Sequence, residues 1–208
     1  KDHEDAAKVI DALENFHGGC GFGPYFTLEG VHPIMLMPEV VASSIRNTSK
    51  SCGTAYMFDS EVFSIAMAKA TNQDISASLM ASPPLTYYTE ACEAAFRFTE
   101  AGFPLLLCSG GVFGASAPVT LAGSTLTNNA ELIAGIVLIQ LIRPGTGTGV
   151  INYTFPADMR TGSPAFGSIG VSLHTAMFNQ IFRRYGIPTT CAALTSSAKA
   201  MDYQTGYE

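Results

Sequence analysis

The stretch Pro104-Leu-Leu-Leu-Cys-Ser-Gly-Gly-Val-Phe-Gly114 decides the fold of this chain of 208 residues. It opens with a continuous apolar run, residues 104 to 108, which is typical of a strand buried on both faces of a parallel sheet. A glycine-rich loop follows at residues 109 to 114, and an apolar segment at residues 119 to 142 predicts a long helix that ends before Pro144. A strand, a loop and a helix in this order predict one unit of an α/β fold.

The same alternation continues on both sides of this stretch. Strand-like segments are predicted at six places, namely residues 22–28, 52–58, 76–81, 104–108, 150–155 and 189–193. Helices are predicted at residues 3–17, from Pro38, from Asp59 or Ser60, and at residues 83–98, 119–142 and 167–185. Because parallel neighbouring strands need a crossover of about a dozen residues or more, this spacing predicts a parallel sheet. It is compatible with both a barrel and an open doubly wound sheet.

The composition predicts one domain over residues 1–208 whose surface is unusually poor in charge. Of all residues, 47% are hydrophobic and only 13% are charged, about half the usual charged share. We therefore expect the apolar faces to be covered by a second copy in a homo-oligomer, or by segments of a longer chain. The start at Lys1 without a methionine and the end at Glu208 without a closing element favour a piece of a longer chain.

Charge and cysteine usage exclude several classes of partner. A net charge of −6 without a cluster of lysines and arginines argues against nucleic acid and anionic membranes. The most apolar run, Leu132 to Ile142, is interrupted at Gln140 and is shorter than the roughly 20 residues of a membrane span. The five cysteines are scattered and form no metal-binding pattern, which predicts reduced thiols, a cytoplasmic location and no metal site.

In a parallel α/β fold a ligand is expected at the carboxyl ends of the strands. Gly110 and Gly111 lie in such a loop, between a strand and a helix, where bare backbone can approach a ligand closely. A tight structural turn is an equally good interpretation. The loop lacks the glycine spacing of a dinucleotide site and the lysine of a phosphate loop, so a nucleotide-using enzyme is only a third hypothesis.

Charged residues mark a second loop and the head of the long helix. Asp158 and Arg160 are opposite charges in a charge-poor loop, where an arginine can bind a carboxylate with both nitrogens, or can instead brace the loop against Asp158. Glu131 begins a strongly apolar helical segment. Capping of the helix is the simple interpretation, and a functional carboxyl group beside a buried face is the other.

Aromatic residues stand near several strand ends and are candidates for a box around a quaternary ammonium ion, although aromatic residues in strands usually belong to the core. These are Tyr153 and Phe155, with Tyr25, Phe26, Tyr56 and Phe58 as further members.

Ser116 lacks the glycine elbow and histidine partner of an activated serine, which excludes a hydrolase. His174 falls inside a predicted helix, where packing is its expected role. No catalytic residue is predicted with certainty.

Three ordered sequence blocks lie between about residues 105 and 208. The first joins Ser109-Gly-Gly with Ala117-Pro-Val-Thr-Leu-Ala-Gly123 and Asn129-Ala-Glu-Leu-Ile-Ala-Gly-Ile-Val-Leu138. The second is Asp158-Met-Arg-Thr-Gly-Ser-Pro-Ala-Phe-Gly-Ser168. The third comprises Ser197-Ala-Lys199 and Asp202-Tyr-Gln-Thr-Gly-Tyr-Glu208. Together these blocks resemble the trimethylamine methyltransferase family, in which the third block usually reads Thr-Asp-Ala-Lys followed by Asp-x-Gln-Ala-Gly-His/Tyr-Glu.

The resemblance implies a partial TIM (β/α)8 barrel with about six βα units, because the family fold is more than twice as long. It also implies a role in the one-carbon metabolism of methanogenesis, in which a methyl group moves from a methylated amine to a corrinoid (cobalamin) carried by a separate corrinoid protein. Charge stabilisation and positioning matter more than acid and base groups in such a transfer. The lack of a catalytic histidine or cysteine is then expected.

The residues at one family position narrow the expected substrate. Trimethylamine enzymes carry pyrrolysine at a position that corresponds to Leu194 or Thr195, and this sequence has ordinary residues there. The resemblance therefore implies the pyrrolysine-free branch that acts on quaternary amines such as glycine betaine, with Arg160 binding the carboxylate. Ser197 stands where the family has aspartate. This departure motivates the alternative hypothesis of a non-catalytic amine- or betaine-binding paralogue.

Overall fold

A computed structural model describes residues 2–18, 30–191 and 195–207. Its α-helices are α1 (Asp2–Ala12), α2 (Leu36–Asn47), α3 (Glu61–Thr71), α4 (Thr89–Ala101), α5 (Leu121–Ile142), α6 (Ile169–Tyr185) and α7 (Tyr203–Tyr207), with a 3-10 helix at Pro33–Met35. Its strands are β1 (Cys52–Ala55), β2 (Ile75–Met80), β3 (Leu105–Ser109), β4 (Val112–Phe113), β5 (Thr148–Asn152), β6 (Phe155–Pro156) and β7 (Thr189–Cys191). Helices and strands alternate, which confirms the α/β class.

Five strands form one sheet in the order β1-β2-β3-β5-β7. The pairs run parallel, with Cys52 opposite Ile75 in β1 and β2, and Val150 opposite Thr189 in β5 and β7. The two short strands β4 and β6 form a separate parallel pair. Within the described residues the sheet is open, as expected for part of a (β/α)8 barrel. The strand predicted at residues 22–28 lies outside the described residues.

The chain groups into two compact units. The first comprises Lys1–Leu79, Thr89–Leu105 and Ile139–Gly147, and the second comprises Met80–Tyr88, Leu106–Leu138 and Thr148–Glu208. The prediction of a single domain over residues 1–208 stays a prediction.

In the first unit, α2 lies against α1 and α3 and precedes β1. The side chains of Val41, Ile75 and Phe98 are fully buried and form its apolar core. Lys50 donates through Nζ to the backbone oxygen of Ile10, at 2.7 Å, which ties the end of α1 to the start of β1. A lysine that donates to a helix's last carbonyl groups stabilises that helix end.

In the second unit, the packing of α5 requires glycine at position 135. A Cβ atom there would lie 2.4 Å from Cδ2 of Leu107 and 2.5 Å from the hydroxyl oxygen of Tyr87. The apolar core of this unit continues through α6, whose Phe178 and Phe182 are buried. The close approach at Gly135 brings the helix near to β3 and sets the polar residues of its buried face beside the ends of the strands.

The helix predicted from residue 83 is wrong at its start, since α4 begins at Thr89. Residues 82–86 form a turn in which the backbone nitrogen of Ser82 donates to the oxygen of Thr86 at 2.7 Å. Leu85 has a φ of 53°, in the left-handed region, which an α-helix does not allow. The proline pair therefore belongs to the loop after β2.

Helix α5 is long and apolar enough to cross a membrane by length and composition, and about a third of its most apolar window (33%) is buried. The core helix of a soluble protein passes the same test, and α5 carries the buried polar residues Asn128 and Glu131. The predicted run at Leu132 to Ile142 is thus part of a longer helix. The absence of a membrane partner stays a prediction.

Candidate functional site

The glycine-rich loop after β3 runs beside the segment that follows β5 in the second unit. The backbone nitrogen of Tyr153 donates to the oxygen of Ser109 at 3.0 Å, and that of Phe155 donates to the oxygen of Gly111 at 3.2 Å. One residue further on, β4 and β6 pair in parallel. The predicted site residues Gly110, Gly111, Tyr153 and Phe155 therefore lie together at the carboxyl ends of two strands.

The two glycines of this loop have different reasons to be glycine. A Cβ atom on Gly111 would lie 3.0 Å from the Cβ atom of Ala117, which is tighter than side chains normally pack. On Gly110 it would be 3.5 Å from the backbone oxygen of Tyr153, which is an ordinary contact. The loop's own packing thus accounts for Gly111, as the turn interpretation predicts. Gly110 leaves bare backbone beside Tyr153.

The two aromatic candidates differ in exposure. Phe155 is buried and contacts Phe166 edge to face, with ring centroids 4.7 Å apart, a preferred geometry for aromatic pairs. Tyr153 is 44% exposed. Tyr25 and Phe26 lie outside the described residues, and Tyr56 and Phe58 belong to the first unit. Of this pair, Tyr153 is therefore partly accessible to solvent, and Phe155 is buried in the core.

Glu131 is buried on α5, and both oxygens of its carboxyl group accept hydrogen bonds. The backbone nitrogen of Leu85, in the loop after β2, donates to Oε1 at 2.7 Å, and the hydroxyl of Ser109, at the end of β3, donates to Oε2. The Tyr87 hydroxyl donates to the backbone oxygen of Glu131 at 2.9 Å. Since α5 begins at Leu121, Glu131 does not cap the helix. It joins two loops instead.

A second set of buried polar side chains lies around the end of β5. Asn128 on α5 donates to the Thr154 hydroxyl at 2.6 Å, and Asn152, the last residue of β5, contacts Nδ1 of His174 on α6 at 3.2 Å. Burial lowers the pKa of His174 from 6.5 to about 4. Sequence reasoning expected only packing from His174 and missed Asn152 and Thr154. Polar residues at the end of an apolar strand were the available signal.

The Asp158 loop is braced from within, and Arg160 extends from it. The Oδ1 atom of Asp158 accepts from the backbone nitrogen of Arg160 at 2.9 Å, and its own backbone nitrogen donates to Ser163 at 2.8 Å. The first of these bonds, helped by the charge of Arg160, lowers the pKa of Asp158. The Arg160 side chain is 91% exposed, with Nε 3.6 Å from Asp158. The backbone of the loop is fixed while the guanidinium faces solvent.

A hydrogen bond joins the third sequence block to the second. The hydroxyl of Ser197 accepts from the backbone nitrogen of Gly167 at 3.1 Å, at the end of the Asp158 loop. Thr195 is partly buried, and Leu194 lies outside the described residues. The segment that carries Thr195 therefore joins the loop that carries Asp158 and Arg160.

The described residues contain no group of three histidine, cysteine, aspartate or glutamate side chains placed to hold a metal ion. Among the described residues Cys52, Cys92, Cys108 and Cys191 form no disulfide bond, and burial raises the pKa of Cys108 to about 12. A thiol with so high a pKa is a weak nucleophile, because the thiolate is the reactive form.

Comparison with known proteins identifies the family. The trimethylamine methyltransferase family model matches residues 39–208. A glycine betaine methyltransferase of Desulfitobacterium hafniense strain Y51 is 31% identical over 220 residues, which covers 100% of this chain and 45% of that relative. A trimethylamine methyltransferase of Methanosarcina thermophila is 35% identical over 130 residues, which covers 62% of this chain and 27% of that relative.

The chain spans less than half the length of these relatives. The match reaches well before residue 105, where the three blocks begin, and includes most of α2 and all of β1. It confirms the resemblance predicted from the blocks. The chain belongs to the trimethylamine methyltransferase family.

Proposed function

We propose that the protein is a methyltransferase that moves a methyl group from a quaternary, betaine-like or tertiary methylamine to the Co(I) corrinoid of a partner protein. The observation that supports it most is the family match over residues 39–208, with relatives named for glycine betaine and for trimethylamine. A cytoplasmic location and a homo-oligomer belong to the same proposal.

The chemistry of this transfer asks little acid or base work of the protein. The methyl carbon's bond to nitrogen breaks with its electron pair going to nitrogen, while Co(I) supplies the pair for the new bond to carbon. A quaternary nitrogen leaves as a neutral amine without needing a proton. Burial lowers the pKa of His174 to about 4, so this residue is not an imidazolium that could act as a general acid near pH 7. Because the corrinoid arrives on a partner, it is a substrate in this scheme.

The partly exposed side chain of Tyr153 is proposed to face the ammonium group, because aromatic rings attract cations without needing hydrogen bonds. Phe155 is proposed to form a buried wall of the site beside Tyr153. Gly110 is proposed to leave its backbone accessible to the amine there. Arg160 is proposed to bind a carboxylate of the amine, since its guanidinium extends from a braced loop and matches carboxylate geometry. This role favours a betaine over trimethylamine, as do Leu194 and Thr195 at the pyrrolysine position.

Glu131 and Asp158 complete the predicted set of substrate residues. The carboxyl group of Glu131 is buried between two loops, and that of Asp158 holds the backbone of Arg160. Acidic side chains near a binding site favour a cation in that site. We therefore propose that these two groups act on the amine through the field and the loop positions they set.

The test mixes full-length protein with cobalamin reduced to Co(I) and one amine at a time, and follows methylated cobalamin by absorbance. We expect methylation with glycine betaine and little with trimethylamine. Arg160→Met should raise KM for betaine strongly, while Arg160→Lys, which keeps the charge but loses the paired geometry, should raise it less. Absence of methylated cobalamin with every amine would contradict the proposal.

The second candidate function is a non-catalytic amine-binding paralogue. It is motivated by Ser197, which stands at a family aspartate and whose hydroxyl accepts from the backbone of Gly167. A serine can keep that structural bond without supplying a charge. Calorimetry that shows betaine binding, together with no methyl transfer, would support this alternative. Turnover would exclude it.

A further inference from the structure

A chain of four buried polar side chains links α5, the end of β5 and α6. Asn128 donates to the Thr154 hydroxyl at 2.6 Å, the backbone nitrogen of Thr154 donates to Oδ1 of Asn152 at 3.2 Å, and Nδ2 of Asn152 contacts Nδ1 of His174 at 3.2 Å. All four residues are buried. We call Asn128, Thr154, Asn152 and His174 the β5 relay. Such polar groups are costly to bury without partners, and the hydrogen bonds between them fix one arrangement of the chain.

The donors in the β5 relay have a fixed direction. A backbone N–H always donates, so Thr154 must face the carbonyl oxygen of the Asn152 side chain. The amide nitrogen of Asn152 then faces α6, where it donates to Nδ1 of His174 and to the Thr175 hydroxyl at 3.3 Å. With Asn152 oriented in this way, Nδ1 of His174 accepts and the imidazole proton is assigned to Nε2, a buried atom that has no hydrogen-bond partner among the described residues. The pKa of about 4 keeps the ring neutral, and so able to accept, near pH 7.

The β5 relay constrains the position of Tyr153, which lies between Asn152 and Thr154 in the sequence. Side chains alternate between the two faces of an extended segment, and those of Asn152 and Thr154 bond to the helices α6 and α5. From this alternation we infer that the side chain of Tyr153 points to the opposite face. Its backbone nitrogen is held by Ser109 at 3.0 Å. The bonds made by its neighbours therefore constrain the backbone that carries this ring.

We propose that His174 and Asn152 are positioning residues for the methyl-transfer site, which orient Tyr153 without contacting the amine. This inference rests on the proposed function of Tyr153. His174 acts as an acceptor for Asn152, Asn152 acts as an acceptor for the backbone of Thr154, and neither takes part in proton transfer.

A matched pair of variants separates acceptance from packing. In the full-length protein, His174→Gln keeps an acceptor toward Asn152, whereas His174→Leu has a similar volume and no acceptor. For betaine-dependent methylation of cobalamin, we expect His174→Leu to lower kcat/KM at least about tenfold, because small misplacements at a reacting centre are costly. His174→Gln should stay close to the unchanged protein. A folded His174→Leu variant with unchanged kcat/KM would overturn the proposal.

Nitrogen NMR of the imidazole ring gives a readout that does not depend on activity. We expect the proton of His174 on Nε2 in the unchanged protein, and on Nδ1 in Asn152→Asp, where the new carboxylate can only accept. The aromatic signals of Tyr153 should shift in His174→Leu and not in His174→Gln. A proton on Nδ1 in the unchanged protein would overturn the proposal. If no amine is demethylated while these NMR results hold, the proposed function fails and the relay stands.

Discussion

The two compact units each contain a polar cluster beside a strand, and the clusters are built from different chemistry. In the first unit Arg97 pairs with Asp59 at 2.5 Å, with Glu61, and with Glu93 at 3.7 Å. In the second unit buried neutral amides, hydroxyls and one neutral imidazole make up the β5 relay. Asp59 lies at the surface, where ion pairs tolerate rearrangement and contribute little stability, whereas Glu61 is buried. Hydrogen bonds between the buried neutral groups of the β5 relay fix one arrangement, which makes the relay suitable for holding reacting groups in place.

Glu131 is a further buried polar group of the second unit, outside the β5 relay, and removing its carboxyl group should have the largest effect. Glu131→Leu leaves the backbone N–H of Leu85 and the hydroxyl of Ser109 without their acceptor, and each such loss costs about 1–3 kcal/mol. We expect the free energy of unfolding, measured in urea, to fall by roughly 3 kcal/mol. Glu131→Gln is the matched control, since it can accept from Leu85 and donate to Ser109. An equal loss of unfolding free energy in both variants would contradict the role given to the hydrogen bonds from Leu85 and Ser109.

The buried imidazole predicts a dependence of stability on pH. The pKa of His174 is about 4 in the folded protein and 6.5 ordinarily, so the unfolded chain binds more protons between these values. Its contribution is complete above about pH 6.5, declines below it, and is lost as pH falls through about 4. The full effect is at most roughly 3 kcal/mol. The free energy of unfolding, measured across this pH range, should change with pH less steeply in His174→Gln than in the unchanged protein. An equal pH dependence in both proteins would refute the prediction.

Gly135→Ala tests the close approach that sets the buried face of α5. The added methyl group would lie 2.4 Å from Leu107 and 2.5 Å from the Tyr87 hydroxyl, and overpacking of this kind costs about 1–3 kcal/mol. Gly53→Ala in β1 is the control, because nothing lies within 4 Å of the position of its Cβ atom. Thermal unfolding should separate the two variants, with the lower melting temperature for Gly135→Ala.

Asp59→Asn in the first unit should have the smallest effect. The Asp59 side chain is 70% exposed, and exposed ion pairs contribute about 0–1 kcal/mol. We expect a change of less than about 1 kcal/mol in urea unfolding, and a smaller one at high salt. A loss of unfolding free energy as large as that of Glu131→Leu would show that the exposed Asp59 contributes as much stability as the buried Glu131, which would contradict the prediction.

Several elements could be predicted because their residues carry the information locally. The helix expected at residues 119–142 is found at Leu121–Ile142, and the strand expected at 104–108 is found at Leu105–Ser109. Both are strongly apolar and end at turn residues. The start of α4 was wrong because Pro83 and Pro84 also suit a helix start. What decides the loop there is the bond from Leu85 to Glu131, 46 residues away along the chain.

The candidate site was predictable to a similar extent. The roles of Gly110, Tyr153, Asp158 and Arg160 as substrate residues stay predictions, although the structure brings the first two together. The members Asn152 and Thr154 of the β5 relay were missed because a polar residue at a strand end is common and does not reveal its partner. Sequence spacing cannot show which of many polar side chains will face each other across a helix and a strand.

By itself the sequence determined the α/β class, the parallel sheet, the long helix α5 and membership of the methyltransferase family, because apolar periodicity and motif order are written along the chain. Only the tertiary structure decided that Glu131 joins two loops and that His174 accepts from Asn152. The physical reason is that a buried polar group must find a partner in space. That partner is chosen by the packing of helices on strands and not by its distance in sequence.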